Sequence, residues 1–152
     1  MRRLALILFL LCWTDESYAQ QSVTSKKQIG LHQDDRWLGD SHFEGRTYVF
    51  AAPDELLRQS STWNAESDKL PLSPKKAEAA AISQARRIRP DVKEWHCHSL
   101  ALRRLETNVW VFAVMLFRAD VASVAPPDSL EIPVLMNGKA VEPVRQRRPP
   151  EK

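Results

Sequence analysis

The sequence predicts an α+β domain in which one main helix packs on an antiparallel sheet of three or four strands, preceded by a loose N-terminal segment. Two observations lead to this prediction. An alanine-rich segment between Ser73 and Pro90 repeats its apolar residues at helical spacing. Several segments rich in β-branched and aromatic residues follow it, separated by turn residues. A helix and a sheet that are each apolar on one face can bury those faces against each other.

Residues 1–19 have the features of a cleavable secretory signal. Arg2 and Arg3 give a positively charged start, and residues 4–13 form an unbroken apolar run. Small residues precede a predicted cleavage site after Ala19. The alternative is an uncleaved anchor, but a membrane helix needs roughly 20 apolar residues. We therefore expect a secreted or periplasmic protein with no stable membrane span after cleavage.

The rest of the chain has the length of one ordinary domain. The prediction divides it into a flexible lead-in (20–45), one α+β domain (46–144, with its core in 70–144) and a basic, proline-rich tail (145–152). The net charge of +3 is too small to indicate nucleic acid as a partner. Cys97 is the one cysteine left after cleavage, so no disulfide within the chain is expected.

Two helices are predicted, a short one and the main one. Residues 46–51 first give a strand, and residues 53–58 then favour a short helix because its first turn is acidic. The main helix has Ser73 as its N-cap and Pro74 at its first position, and it ends before Pro90. Its apolar face is formed by Ala77, Ala81, Ala85 and Ile88.

The strands of the sheet follow the main helix. Residues 95–105 alternate, which places Leu100 and Leu102 on the face opposite Cys97 if the strand is regular. Residues 109–117 are apolar at consecutive positions, which is typical of a central strand covered on both faces.

A hairpin is predicted at the end of the domain. Residues 130–136 form a strand, and Pro133 places it at an edge or a bulge because proline lacks an N–H donor. Asn137-Gly138 predicts a two-residue type I′ turn. A short return strand over 139–142 is expected to end at Pro143.

This pattern resembles the small secreted PepSY-like domains, which have a cystatin-like helix-on-sheet fold. The resemblance covers residues 70–144 and rests on the segments 72–77, 110–114 and 135–143 and on Trp95. It implies a binding role, often the restraint of a protease in the cell envelope. The Gln-x-Val-x-Gly loop of true cystatins is absent from the sequence, so inhibition of papain-type proteases is not expected.

His96-Cys97-His98 is the candidate metal site, because imidazole and thiolate are good ligands for zinc or copper. On a regular strand His96 and His98 share a face and Cys97 lies on the other, so the triplet cannot close around one ion without a bulge. The two histidines could supply half a site, completed by His32 or His42. The alternative is structural, with Cys97 packed under the helix.

No catalytic constellation is found in the sequence. It has neither a Gly-x-Ser-x-Gly elbow nor a phosphate-binding glycine loop. The acidic pairs at 34–35 and 54–55 lie in the lead-in and at a helix start, where they suit a solvated surface and a helix dipole. We expect a protein that is not an enzyme and that carries no cofactor.

Four tryptophans follow the predicted signal, and they suggest where a partner could bind. Trp95 and Trp110 are expected in the core, whereas Trp37 and Trp63 are expected in loops. Trp37 and Trp63 either clamp the lead-in onto the open sheet face or line a site for a protein or peptide of the envelope. The predicted function is an exported interaction module that uses the open sheet face or its edge strands. The alternative is zinc or copper handling through His96 and His98.

Overall fold

The computed structural model describes residues 31–64, 66, 69–119 and 128–144. The chain divides into two units, residues 1–33 and 34–152, and the fold given below belongs to the second. The predicted signal peptide, the first part of the lead-in and the basic tail lie outside the described residues. Within the described ranges, no helix is both long enough and apolar enough to cross a membrane.

The second unit is mostly β-structure. Its strands are β1 (Asp35–Phe43), β2 (Arg46–Pro53), β3 (Trp95–Glu106), β4 (Val109–Arg118), β5 (Ser129–Leu135) and β6 (Pro143–Val144). Its helices are α1 (Asp54–Ser61) and α2 (Pro74–Ile88). The strands form two three-stranded antiparallel sheets, ordered β1-β2-β6 and β3-β4-β5.

The predicted fold class is therefore wrong, because two sheets and two helices replace one helix on a single sheet. The segment expected to be loose contains β1, which pairs with β2 along its length. A bulge between Trp37 and Gly39 disturbs the alternation of β1. Its buried residues, Leu38, Ser41 and Phe43, are consequently not spaced two apart throughout, and the period that identifies a strand is hidden.

The hairpin turn between β1 and β2 is of type I′, the type that the sequence predicted for Asn137-Gly138. Glu44 and Gly45 have φ values of 48° and 69°, and they separate the paired residues Phe43 and Arg46. Positive φ at both central positions is the mark of a type I′ turn. Glutamate is an unusual residue for this conformation, so the turn could not be recognised from its composition.

The predicted type I′ turn at Asn137-Gly138 is wrong. Only Gly138 has a positive φ, 88°, and its N–H donates to the carbonyl of Leu135 at 2.8 Å. This is a three-residue loop, in which a turn is followed by one left-handed residue. The return strand is also shorter than expected, since Ala140 makes a single bridge to Val134 and Pro143 begins β6 rather than ending a strand.

The main helix is confirmed as predicted. The Ser73 hydroxyl accepts a hydrogen bond from the Lys76 N–H at 3.4 Å, and Pro74 opens the first turn. The alanine face is fully buried, at Ala77, Ala81 and Ala85. The polar side chain of Gln84 is also buried. Helix α2 packs on β3, β4 and β5, and the short helix α1, also confirmed, packs on β2, β4 and β5.

The central position of β4 is confirmed, since it lies between β3 and β5. Consecutive residues of β4, from Val111 to Val114, are all buried, so both faces of this strand are covered. A bulge in β3 between Cys97 and Ser99 corrects the predicted faces of that strand. Beyond the bulge, Leu100 pairs with Val114 and takes the same face as Cys97 instead of the opposite one.

The outer edge of β5 is covered by other parts of the chain. The Glu131 N–H donates to the Ser41 hydroxyl at 2.6 Å, which ties β1 to this edge. The Pro133 carbonyl accepts from the Val141 N–H at 2.9 Å. An edge strand whose outward groups are satisfied in this way offers no backbone for pairing with another chain. The backbone nitrogen of Pro133 faces this outer side, where no partner strand needs an N–H donor, so the predicted edge position is confirmed.

Candidate functional site

The outer edge of β3, at the other side of the same sheet, is the candidate site. β3 pairs with β4 alone, so half of its backbone groups have no partner strand. The pairing of β5 with β4 shows which groups of β3 these are. In β5, three residues direct their backbone groups away from β4: Glu131, Pro133 and Leu135. Opposite residues in antiparallel strands alternate between hydrogen-bonded and non-bonded pairs. The β4 partners of these residues therefore bond to β3 instead: Met115, Ala113 and Val111.

The register between β3 and β4 then identifies the outward residues of β3. Three residues lie opposite those β4 partners and bond to β4: Ser99, Ala101 and Arg103. The intervening residues, Leu100, Leu102 and Arg104, direct their N–H and C=O groups away from the sheet. Among the described residues, no further backbone hydrogen bond reaches these groups. We call these outward groups of Leu100, Leu102 and Arg104 the free edge.

Two bulges limit the free edge to a short regular stretch. The register with β4 shifts between Cys97 and Ser99, and again between Arg104 and Glu106. Bulges bend a strand and increase its twist, which discourages pairing along a whole edge. The regular stretch Ser99–Arg104 is long enough to bond a short extended peptide, but it is too short to template a large sheet.

The side chains beside the free edge lie at the rim of the hydrophobic core. Leu100 and Leu102 are half-buried, and they pair with Val114 and Phe112, which are almost fully buried. Residues that pair directly across strands project on the same face. A strand added to the free edge would thus lie beside the apolar face that carries Val114 and Phe112.

An aromatic shelf lies at the end of this row. The rings of Trp63 and Trp110 meet edge to face with centroids 5.3 Å apart. The backbone N–H of Trp63 donates to the Asn108 carbonyl at 2.7 Å. The Arg104 guanidinium carbon lies 5.8 Å from the centroid of the Trp110 ring. The contact holds a cation over an indole face at the point where the free edge ends.

Charge at the edge is compensated everywhere except at Arg104. Arg103 forms an ion pair with Glu131 at 2.7 Å, and Glu106 is bonded to Arg36. The Arg104 guanidinium instead bonds to the carbonyl of Glu106 at 3.2 Å and to the Thr107 hydroxyl at 3.5 Å. Over the ranges that the structure describes, no carboxylate pairs with Arg104, so this exposed cation is available to a partner.

The predicted metal ligands lie on β3 just before the free edge. His96 pairs with Phe117, and the ring of His98, which occupies the bulge, contacts the same phenylalanine with centroids 4.5 Å apart. Both histidines are exposed. Across the described ranges, no group of three His, Cys, Asp or Glu side chains could hold an ion. The zinc or copper site through His96 and His98 stays a prediction.

Cys97 is half-buried and lies toward α2. Burial raises the pKa of its thiol, and the negative charge of Glu78 raises it further. Its Sγ lies 3.6 Å from the Ser99 carbonyl oxygen. A thiol with a raised pKa is a poor nucleophile, since the thiolate is the reactive form.

The two tryptophans predicted to bind a partner have different surroundings. Trp37 lies on β1, where it pairs with Ala51 and exposes 52% of its surface, more than any other large apolar residue described. Trp63 follows α1 and packs on Trp110, so it contributes to the aromatic shelf rather than standing alone. The free edge itself was not found from the sequence, because the strand pairing that leaves β3 outermost cannot be read from its residues.

No protein-family model, curated protein or solved structure matches the chain. The resemblance to PepSY-like domains therefore stays a prediction, and the assignment of function depends on the geometry of the chain itself.

An ion cluster around the buried side chain of Arg89 was not found from the sequence either. Arg89 caps α2, and its side chain is 8% exposed. It bonds to Asp91 at 2.6 Å and 2.9 Å and to Glu44 in the β1–β2 turn, and its guanidinium carbon lies 5.0 Å from the Phe43 ring centroid. Glu44 also bonds to Arg118 at the end of β4.

The cluster shifts the pKa values of its carboxyl groups. Hydrogen bonding to Arg89 lowers the pKa of Asp91 to about 2 and also lowers the pKa of Glu44, to which Arg118 contributes as well. The hydrogen bond to Asp91, and to a smaller extent the hydrogen bond to Glu44, raises the pKa of Arg89. Because these ion pairs join the β1–β2 hairpin to the end of α2 and to β4, we assign the cluster a role in stabilising the fold.

Proposed function

We propose that this protein is a non-catalytic interaction module that binds an extended peptide segment of a partner by strand addition along β3. The observation that carries the proposal is the free edge: outward backbone groups at Leu100, Leu102 and Arg104 with no partner among the described residues. Adding a strand to such an edge satisfies those groups by main-chain hydrogen bonds, and the neighbouring side chains provide selectivity.

The contrast between the two edges of the sheet supports this assignment. At β5, a side-chain hydroxyl and a returning segment satisfy the outward groups of Glu131 and Pro133. At β3, bulges at His98 and Leu105 flank a regular stretch that is left open. An edge that is bounded rather than covered is suited to a short peptide.

The proposed compartment is the secreted or periplasmic space, because residues 1–19 have the composition of a secretory signal. The partner is accordingly a protein or peptide of the envelope.

The proposal is tested by selecting binders from a displayed library of random heptapeptides and mapping them by NMR on the labelled protein. We expect the largest amide shift changes within residues 99–104, with slowed exchange at Leu100 and Leu102. Trp37→Ala is the control, because Trp37 lies on β1 and its removal should leave the binding intact. Shift changes centred on Trp37, or no selected binder, would overturn the assignment.

A further inference from the structure

We propose that the free edge selects an acidic segment, with one carboxylate side chain placed against Arg104 and apolar side chains placed against Leu100 and Leu102. This inference rests on the proposed function, because it names the chemistry of the peptide bound at that same edge. It follows from which side chains of β3 lie on the same face as the added residues.

The register of an added strand determines which of its residues face this row. In an antiparallel addition the outward residues of β3 form hydrogen-bonded pairs with the incoming strand, and in a parallel addition they bond to the residues on either side of their neighbour. In both directions, residues that lie side by side on adjacent strands project on the same face. Leu100, Leu102 and Arg104 are spaced two apart, so the peptide residues opposite them are also spaced two apart. Their side chains lie over the rim of the core, at Val114, Phe112 and Trp110 in turn.

Apolar side chains are favoured at two of these three positions. Leu100 and Leu102 are half-buried and pack against the core from its rim. An apolar residue opposite each one removes further apolar surface of both chains from water, which stabilises the complex. Alternate residues of the peptide lie on the opposite face, beside the small and exposed Ser99 and Ala101, where little selection is expected.

A carboxylate is favoured at the third position. Arg104 is exposed, and it has no acidic partner in the part of the chain that the structure describes, whereas Arg103 is already paired with Glu131. The Trp110 ring beneath Arg104 limits the directions that the guanidinium can take, so less side-chain entropy is lost when a carboxylate binds. The charge that complements this edge is therefore negative.

The inference is tested with synthetic peptides that place two valines and a glutamate at alternate positions among threonines. Two peptides carry this pattern in opposite directions, because the direction of strand addition is open, and matched peptides have glutamine instead of glutamate. We expect one of the two directions to bind, with the glutamate peptide about two- to fivefold tighter, the range of an exposed ion pair. The preference should weaken as salt is raised.

Two variants locate the preference. Arg104→Gln should bind the glutamate and glutamine peptides equally, and Arg103→Gln, which removes the neighbouring cation that Glu131 already pairs, should keep the preference. Both residues are exposed, so both variants are expected to fold. Equal affinities for the two peptides in the unchanged protein, or a preference that survives Arg104→Gln, would overturn the acidic specificity.

The same titration separates the specificity from the proposed function. Binding at residues 99–104 without a glutamate preference refutes the acidic segment and leaves strand addition standing. A dimer in sedimentation experiments whose formation slows exchange at Leu100 and Leu102 would show that a second copy of this chain takes the edge. That result would contradict the acidic peptide as its occupant.

Discussion

Arg89 has more contacts in the structure than its position in the sequence indicates. It follows α2 directly, where a basic residue favours the negative end of the helix dipole. The structure adds carboxylates from two other segments, Glu44 and Asp91, and a contact with the Phe43 ring. One side chain thereby connects α2 to the turn of the β1–β2 hairpin.

Removing Arg89 should destabilise the fold. Arg89→Ala leaves the carboxylates of Glu44 and Asp91 without their main donor, and we expect a loss of about 2 kcal/mol in the free energy of unfolding, measured in urea. Arg86→Ala is the matched control, since Arg86 is an exposed basic residue in the last turn of the same helix. Equal losses in the two variants would show that the cluster contributes nothing beyond the helix dipole.

The same cluster predicts sensitivity to acid. The folded pKa values of Asp91 and Glu44 lie below their unfolded values, so the folded state binds fewer protons than the unfolded state. Their contribution is fully present above about pH 5 and is lost as the pH falls toward about 2, the folded pKa of Asp91. The melting temperature should therefore fall over this window, and less so in Glu44→Gln. A variant with the same acid dependence as the unchanged protein would contradict this account.

At the scale of elements, α2 is held by its alanine face. Ala81 is fully buried against the sheet, so Ala81→Asp places an unpaired charge in the core, and we expect a loss of about 3–5 kcal/mol in the free energy of unfolding. Ala79→Asp, on the exposed side of the helix, should cost far less. Thermal or urea unfolding of the two variants measures the difference, and similar stabilities would mean that the helix packs otherwise.

Strand β3 gives the second prediction at this scale. Leu100 directs its N–H outward, so Leu100→Pro should unfold at nearly the same urea concentration as Leu100→Ala. Ala101 donates its N–H to β4, so Ala101→Pro should cost about 1–3 kcal/mol by leaving a strand acceptor unpaired. The reverse order of these effects would show that the outward and inward residues of β3 are assigned wrongly.

How far the sequence predicts these elements depends on whether their signals are local. The cap at Ser73, the proline at the first turn and the alanine spacing all lie within α2, and that helix was predicted correctly. The apolar run of β4 likewise revealed a central strand. Bulges shift the register of β1 and β3 by one residue. In β3, alternation along the sequence therefore assigns Leu100 to the wrong face, and in β1 the alternation that would identify the strand is lost.

For the whole molecule, the pairing of strands decides where a partner can bind. The chain builds two sheets, and β1 covers part of the outer edge of β5 through the bond between Ser41 and Glu131. These residues are 90 positions apart in sequence, so no local pattern indicates their contact. The candidate site could not be predicted for the same reason, because β3 becomes an open edge only once the order β3-β4-β5 is known.

The most direct test of the open edge is amide hydrogen exchange of the unbound protein, followed residue by residue by NMR. We expect slow exchange at Ser99, Ala101 and Arg103, whose backbone N–H groups bond to β4, and fast exchange at Leu100 and Leu102, whose N–H groups face outward. Equally slow exchange at all five amides would contradict it, because the β3 edge would then already be covered.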